Sequence, residues 1–503
     1  MHPRYLFALG ALLATVAGCA PEDATGEDVG YGTEISKDEF FSHDAMYYVR
    51  IEGWDPGDMS PQSLADETTH AGAKLKIYRT DANSGRHCPD GEGDLLHTTT
   101  SFSIRTSGNF TNGTPKSSYK IEFKGDEARF LKMKAINLKS MWNDVSQMRE
   151  ALAWELFDKA DVPASGHGYA RFCINDKYYG LYSVIEQVDK QMLKDHFDDL
   201  DEGNLYKAYW EDEDIGPADL AYRSVNGDDD GDAYHRVSNI DQRSYQLKSN
   251  EDDPALANYN DLATFIKVLN GKAGAADFNS AAFEQKLEAI FDVRAFLRWA
   301  SVNNLLGAWD NYWGTPANYY LYNGGKDADF MGKPYFSWLP WDYDNSFGID
   351  YFGIAWQSVG IVDWAKHTRT ESHALPLVTN LLKNDHYLAY YLDHMDCMLD
   401  HYFNAEWIEK QIGGETGRGL WPLIKTSAFL ESDTPTGAPH TGRQFTNDQV
   451  YWNGFKHNEL RQGTTFILGI YHHVKARHDS AKSQIAHWRS ERGLTAASEP
   501  VCE

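Results

Sequence analysis

Two segments that carry acid and amide groups frame residues 309–348, and this stretch constrains the fold most. The first segment contains Asp310 and, eight positions later, Asn318. The second contains Asp342 and Asp344 within the sequence Pro-Trp-Asp-Tyr-Asp. Between them, two runs rich in aromatic and β-favouring residues flank the turn signal Asn-Gly-Gly-Lys-Asp, a pattern that predicts a β-hairpin. This hairpin would bring Asn318 close to Asp342 and Asp344.

Three carboxylates and an amide oxygen among aromatic residues predict a metal site in this hairpin. Carboxylates are costly to bury unless they are paired or bound to a metal. Hard oxygen ligands of this kind suit Mg²⁺ or Mn²⁺, which in turn bind phosphates. On these residues alone, a second interpretation stays open: an aromatic core hairpin whose Asp and Asn residues only form turns.

The motifs of this stretch resemble the signature of the CotH kinase family, whose members are atypical, protein-kinase-like enzymes. The shared motifs are a Trp-Asp pair, an Asn-x-Tyr-Leu-Tyr segment and a Pro-Trp-Asp-x-Asp-x-x-Phe-Gly segment, in this order. The resemblance implies an α+β fold with two kinase-like lobes, the amino-terminal part rich in strands and the carboxy-terminal part largely helical. We expect one such domain over residues 39–492, divided into 39–208 and 209–492, with a tail at 493–503.

Protein kinases use a catalytic Asp, an Asn a few residues later and a second Asp that binds the metal. By resemblance, Asp310 takes the catalytic role. Asn318, Asp342 and Asp344 would hold Mg²⁺ or Mn²⁺, and the motif leaves open which of the two aspartates is the main ligand.

An earlier segment resembles the nucleotide-binding part of the family. It consists of a loop with Arg105 and a following Pro-Lys-x-Ser-Tyr-x-Ile-x-Phe strand. Alternation places Lys120 opposite the core face of this strand, and the resemblance implies that it reaches the phosphates of ATP, with Lys116 as the alternative. Thr106 stands directly after Arg105, where the family has a glycine, and Gly108 follows two positions later, so the loop departs from the family pattern at this point.

Two further residues complete the expected nucleotide site. Glu186 ends a predicted strand and would pair with Lys120, as a kinase Glu pairs with its Lys. Arg149 is the arginine of a D-x-S-x-x-R motif that the family shares. It either supports the nucleotide site or pairs with an acid.

The amino terminus has the features of an export signal. A short basic start and an apolar run end in Val-Ala-Gly-Cys, and residues 1–19 therefore predict a signal peptide with a bacterial lipobox. Lipid attached to Cys19 would anchor the protein to a membrane, which we expect to be the outer membrane or the cell surface. An ordinary signal peptide that happens to contain a cysteine is the alternative. Residues 20–38, which are small and acidic, predict a flexible tether.

The net charge of −27 argues against nucleic acid as a partner, because a phosphate backbone is bound by clustered Lys and Arg. Within the acidic segment that follows residue 210, Asp228, Asp230 and Asp232 resemble a Ca²⁺-binding loop. The twelfth position counted from Asp228 is Asn239 rather than Glu, so an EF-hand is excluded. A looser Ca²⁺ site and a solvated acidic turn both remain open.

Four cysteines follow Cys19, and in an oxidising compartment they allow two disulfides with three connectivities. Sequence order favours the pairs Cys88–Cys173 and Cys397–Cys502. The function expected from all these features is a surface-anchored kinase that transfers phosphate from ATP to Ser or Thr hydroxyls of exported proteins. A catalytically silent, kinase-like surface scaffold or adhesin, stabilised by Ca²⁺, is the alternative.

Overall fold

A nine-stranded sheet organises the amino-terminal part of the computed structural model, which describes residues 30–54, 72–88, 93–108, 111, 114–198, 202–209, 216–224, 230–235, 243–326, 329–363, 374–431 and 444–495. The order of the strands is β1-β4-β3-β2-β8-β9-β7-β6-β5, and every pair is antiparallel except β2 with β8. The strands are β1 (Gly30–Tyr31), β2 (Met46–Glu52), β3 (Lys74–Thr80), β4 (Asp94–Thr99), β5 (Phe102–Ser107), β6 (Ser118–Phe123), β7 (Ala135–Lys139), β8 (His167–Ile174) and β9 (Lys177–Glu186).

A four-stranded antiparallel sheet, in the order β11-β10-β12-β13, forms the second layer of strands. Its strands are β10 (Asn204–Ala208), β11 (Tyr245–Leu247), β12 (Tyr319–Asn323) and β13 (Phe336–Pro340). The hairpin predicted within residues 309–348 is confirmed, since Tyr319 pairs with Pro340 and Asn323 with Phe336. Strand β10 lies before the expected boundary at 208/209 but pairs with two strands that follow it. The sheet therefore spans both expected parts of the domain.

Helices are most frequent after residue 259, and a small sheet of β14 (Ile349–Asp350), β15 (Leu460–Gln462) and β16 (Thr465–Ile467) lies among them. Within the described ranges, no helix combines the length and the apolar character needed to cross a bilayer. The helices are α1 (Lys37–Phe40), α2 (Arg149–Lys159), α3 (Lys190–Phe197), α4 (Asp232–His235), α5 (Asn260–Leu269), α6 (Ala281–Glu288), α7 (Val293–Leu306), α8 (Pro376–Thr379), α9 (Asp385–His401), α10 (Ala405–Ile412), α11 (Leu420–Leu430), α12 (Asn447–Gln449) and α13 (Ile470–Arg492).

Helix α7 leads the chain to the start of the 309–348 stretch. Its apolar face is buried, the side chain of Asp292 caps its first turn, and Gly307 ends it with a left-handed φ of 60°. Aromatic side chains pack the helix against the hairpin: Trp299 lies 4.5 Å from Trp338 between ring centroids, and Trp338 stacks on Tyr319 at 4.2 Å. Burial of such large rings contributes much of the stability of a core. These contacts pack the open end of the hairpin against α7.

The tether expected over residues 20–38 is wrong for its last part, because the chain is ordered against the large sheet from residue 30 onward. Strand β1 pairs with β4, and Ser36 caps α1. Lys37 forms ion pairs with Glu186 and Asp195, which fix this segment to β9 and α3. The signal peptide, Cys19 and the first part of the tether lie outside the described residues.

The disulfide predicted between Cys88 and Cys173 is confirmed. It joins the segment after β3 to the end of β8. Cys397 on α9 is also disulfide-bonded. Its expected partner, Cys502, lies outside the described residues, so that pairing stays a prediction.

Candidate active site

A cavity of about 1280 Å³ lies between the nine-stranded and four-stranded sheets. It brings together six of the residues singled out from the sequence, which are Arg105, Lys120, Asp310, Asn318, Asp342 and Asp344. The first two stand on strands of the large sheet, and the other four belong to the two ends of the 309–348 stretch. Because a ligand in this cavity would touch both groups, the acids and the cations can act on the same molecule.

Asp310 is held by hydrogen bonds to both of its carboxylate oxygens. The Thr315 hydroxyl donates to Oδ1 over 2.8 Å, and the Asn345 side-chain amide donates to Oδ2 over 3.2 Å. The loop itself is fixed where Trp309 donates its indole N–H to the carbonyl of Ile349 at 2.9 Å. The carboxylate therefore has a defined orientation toward the cavity.

Asn318 and Asp342 both adopt left-handed backbone conformations, with φ values of 53° and 66°. Non-glycine residues rarely do so, and such conformations occur preferentially at functional sites. The Asn318 amide donates to the backbone carbonyl of Asp310 at 2.8 Å, which connects the first two motifs.

Tyr343 determines where its neighbours Asp342 and Asp344 point. Its ring is buried, and its hydroxyl accepts a hydrogen bond from the Trp299 indole at 2.7 Å and donates one to Asn303 at 3.1 Å. With Tyr343 directed into the core, the side chains on either side of it face the cavity.

Lys139, at the end of β7, is a cation in direct contact with this acidic group. Its Nζ donates to Asp342 Oδ1 at 2.9 Å and lies 5.5 Å from the Trp341 ring. Burial by itself lowers the pKa of Lys139, but the negative charges of Asp342 and Glu150 outweigh burial and raise it overall. This lysine is therefore firmly protonated.

The carboxylates at this end of the cavity repel one another. Burial raises the pKa of Asp344 well above its usual range, and the charges of Asp342 and Glu150 raise it further. Burial also raises the pKa of Asp310. On α2, burial raises the pKa of Glu150 to about 7, although Lys139 opposes the rise. A single lysine does not balance these acids, so an additional cation would be stabilised here.

The donor set fits a hard divalent cation. Carboxylates of Asp342 and Asp344 and the amide oxygen of Asn318 are the oxygen ligands that Mg²⁺ and Mn²⁺ prefer. Within the described ranges, however, no three His, Cys, Asp or Glu side chains already stand in the arrangement of a metal shell. These residue types therefore suit a metal ion, although their side chains are not arranged as a coordination shell.

The expected pairing of Lys120 with Glu186 is wrong, because the two side chains lie on opposite faces of the sheet. In the strand register, Lys120 is opposite Asn137, and Asn137 is opposite Ile185 rather than Glu186. Lys120 instead binds Glu122 at 2.5 Å, and Glu186 binds Lys37. Glu186 does not line the cavity.

Arg149 does not line the cavity either, which corrects its assignment as a nucleotide ligand. It is fully buried and binds Asp144 at 2.6 Å and the carbonyl of Leu468 at 2.6 Å. Of the two roles that the sequence left open, pairing with an acid is the one observed. Lys116 is also buried, with Glu431 at 2.8 Å, and so is not the alternative phosphate ligand.

The expected Ca²⁺ loop is only partly described. Asp228 lies outside the described residues. Asp232 pairs with His235 at 3.0 Å, and its backbone N–H bonds to the side chain of Asp230. Such contacts are typical of the first turn of a short helix, here α4. The Ca²⁺ site therefore stays a prediction.

The cavity also contains polar residues that the sequence patterns did not single out, among them Lys139, Glu150, Lys207 and Asn345. Alternation along β7 and β10 would have indicated the two lysines, since Lys139 shares a face with Asn137, and Lys207 follows the buried Tyr206. Asn345 directly follows the second acid of its motif. Glu150 gave no local signal, because a buried Glu on an apolar helix face is recognisable only once the helix is packed.

Comparison with known proteins agrees with the motifs. Residues 104–418, which include the whole 309–348 stretch, match the family model described as CotH kinase protein. Inner spore coat protein H of Bacillus subtilis (strain 168) is 22% identical over 331 residues, which cover 66% of this chain and 79% of that protein. Invasin CotH2 of Rhizopus delemar is 25% identical over 253 residues, which cover 50% of this chain and 38% of that protein. The chain therefore belongs to the CotH kinase protein family.

Proposed function

We propose that this protein is a metal-dependent atypical kinase that transfers phosphate from ATP to Ser or Thr hydroxyls of exported proteins. One observation carries the proposal: a single cavity contains the acids Asp310, Asp342 and Asp344 together with Lys139, which binds Asp342. Phosphoryl transfer needs such a combination, because the transferred group carries negative charge and its acceptor hydroxyl must be oriented.

Each residue has a distinct part in this proposal. The Asp310 carboxylate would accept the hydrogen bond of the acceptor hydroxyl in place of Thr315 and take up its proton. Lys139, with Arg105 and Lys120 from neighbouring strands, would bind phosphate oxygens of ATP. Asn318, Asp342 and Asp344 would hold Mg²⁺ or Mn²⁺, an ion that neutralises charge on the phosphates when bound.

We also propose that the protein acts outside the cytoplasm, anchored through lipid on Cys19 at the outer membrane or cell surface. Three features support this location: the export signal in the sequence, the Cys88–Cys173 disulfide, and relatives named as a spore coat protein and an invasin. Disulfides of this kind form in oxidising compartments.

The test is calorimetric titration of ATP into the full-length protein, with Mg²⁺, with Mn²⁺ and with chelator, followed by transfer of labelled phosphate to protein acceptors. Asp342→Asn is the decisive variant, and Asp479→Asn, an exposed acid on α13, is its control. Metal-dependent binding and transfer that only the first variant loses would support a kinase. Absence of ATP binding with either metal would refute it.

A silent surface scaffold or adhesin is the second candidate, and the relative named as an invasin favours it. ATP is scarce outside cells, so a protein there can use a kinase-like fold for binding alone. If the protein is a scaffold, it should adhere to a surface, and the Asp342→Asn variant should adhere as strongly as the wild type. If Ca²⁺ stabilises it, chelation should lower the melting temperature, and Asp230→Asn with Asp232→Asn should abolish that effect.

A further inference from the structure

Lys207 on β10 is a lysine of the cavity that has aromatic neighbours but no acid partner. Its Nζ lies 5.7 Å from the centroid of the Tyr209 ring and 5.9 Å from that of Tyr320. Among the described residues, no carboxylate forms an ion pair with it. Its strand neighbours Gln246 and Tyr320, which lie directly opposite it in the register, also line the cavity.

Lys207 shares its cavity with the cations Lys248, Lys139 and Arg105. Burial lowers its pKa, and the charges of Lys248, Lys139 and Arg105 lower it further, to about 7, although Asp342 opposes this effect. Lys248 directly follows β11 and donates its backbone N–H to the Leu205 carbonyl of β10, whereas Lys139 and Arg105 stand on the sheet across the cavity. Positively charged side chains from both sides of the cavity therefore lie in the same site as Lys207.

The surroundings of Lys207 differ from those of several other cavity lysines, which have acidic partners, and from the acidic composition of the whole chain. Three of the other cavity lysines, Lys120, Lys139 and Lys190, each pair with a carboxylate. The whole chain has 74 acidic and 47 basic residues, so acids are abundant, yet none in the part of the chain that the structure describes forms an ion pair with Lys207. Like charges in an enclosed site repel each other strongly unless a counter-charge binds between them. The ligand that would stabilise this arrangement is an anion.

We propose that Lys207 and Lys248 form a phosphate subsite that binds part of a polyphosphate chain, whose remaining phosphates lie toward Lys139. The proposal deepens the kinase function by assigning a second phosphate contact to its donor. It does not depend on catalysis, because the subsite would also bind a polyphosphate chain in a silent scaffold. The chain can belong to a nucleoside triphosphate or to inorganic polyphosphate, since both offer the same phosphate oxygens.

The test is calorimetric titration of inorganic tripolyphosphate and, in parallel, of ATP into the full-length protein at pH 8 in the presence of chelator. Each titration is repeated in two buffers of different ionisation enthalpy to count the protons taken up. The variants are Lys207→Met and Lys207→Arg, with Lys410→Met, an exposed lysine on α10, as the control. Circular dichroism and melting of each variant establish that it is folded.

We expect wild type and Lys410→Met to bind tripolyphosphate and to take up a proton as Lys207 becomes charged. Lys207→Met should bind at least about tenfold more weakly, the effect of removing a charge-assisted contact. Lys207→Arg should keep the affinity but lose the proton uptake, because Arg is already protonated. A loss for ATP and tripolyphosphate alike assigns the subsite to the phosphates that the two ligands share.

Two results would overturn the proposal: no binding of tripolyphosphate without metal, or equal affinity of wild type and folded Lys207→Met. A different result would refute the kinase function: ATP binding that depends neither on metal nor on Asp342, or no ATP binding at all. In that case, metal-free binding of tripolyphosphate that requires Lys207 would still support the subsite.

Discussion

Asn345 donates its side-chain amide to Oδ2 of Asp310 and so joins the two ends of the 309–348 stretch. The carbonyl oxygen of the same side chain accepts a hydrogen bond from Asn143 at 3.2 Å. The orientation of the candidate catalytic acid thus depends on a residue from each side of the cavity.

Replacement of Asn345 by Ala should lower the rate of phosphate transfer at least about tenfold, equivalent to about 1.4 kcal/mol of transition-state stabilisation. Asp310 would lose one of its two side-chain donors and its fixed orientation. ATP affinity should change little, because Asn345 contacts the acid and not the cations. Steady-state kinetics with a calorimetric measurement of ATP binding separates the two quantities, and an unchanged rate would contradict the role given to Asn345.

Lys139→Met should weaken ATP binding more than Lys120→Met does. Both lysines pair with a carboxylate, but burial lowers the pKa of Lys120, whereas the negative charges around Lys139 raise its pKa overall. We expect a loss of roughly tenfold or more for the first variant, as for removal of a charge-assisted hydrogen bond, and a smaller loss for the second. Titration of ATP with Mg²⁺ into both variants tests this order. The reverse order would restore Lys120 as the main phosphate ligand.

The buried pair of Lys116 and Glu431 should be essential for stability. Lys116 Nζ also donates to the Leu181 carbonyl at 2.6 Å, so the pair ties β9 to the end of α11. Lys116→Met leaves an uncompensated buried carboxylate and should lower the free energy of unfolding by about 3–5 kcal/mol. The double variant Lys116→Met with Glu431→Leu should lose less. Urea denaturation measures both, and an additive loss would contradict the prediction.

His394 should make the protein less stable in mild acid. Burial, with a smaller contribution from Arg298, lowers its pKa to about 3, so the folded protein holds it neutral. The unfolded chain takes up a proton near pH 6.5, and stability is therefore lost as the pH falls below that value toward 3.

Between pH 7 and pH 5, this residue should account for about 2 kcal/mol of the loss in free energy of unfolding. His394→Gln, which does not titrate, should reduce the loss by that amount. His401→Gln, which replaces an exposed histidine of the same helix, is the control. Urea denaturation at the two pH values tests this expectation, which fails if both variants behave alike.

The disulfide between Cys88 and Cys173 should stabilise the large sheet. Replacing both cysteines by Ser should lower the free energy of unfolding by about 2–4 kcal/mol, the range typical of native disulfides. Because Cys173 lies beside Tyr48 and Tyr78 in a small buried cluster, part of the loss would come from packing. Reduction of the wild type also breaks the disulfide of Cys397, so it should lower the free energy of unfolding by at least as much as the double variant does. A wild type insensitive to reductant would contradict the prediction.

Local patterns predicted the 309–348 hairpin, because a turn signal between two β-favouring runs fixes antiparallel pairing between neighbours in sequence. That hairpin brought Asn318 and Asp342 into one cavity. Residues that are close in sequence were therefore sufficient to predict this part of the fold and of the site.

The errors concern relations between distant segments. Whether Lys120 and Glu186 share a face depends on the registers of β6, β7 and β9, and a shift of one residue reverses the face. Glu150 enters the cavity only through the packing of α2 against the hairpin. The acidic composition before residue 39 predicted a tether, but the pairing of β1 with β4 orders its last part.

The left-handed backbone at Asn318 and Asp342 limits how these positions can vary within the family. Asn and Asp are the non-glycine residues that adopt this conformation most readily, so the backbone and the proposed metal binding select the same residues. Glycine satisfies the backbone alone. A relative with glycine at either position would be expected to keep the hairpin and lose the proposed oxygen ligand, so these two positions would mark the members of the family that retain the fold without the proposed chemistry.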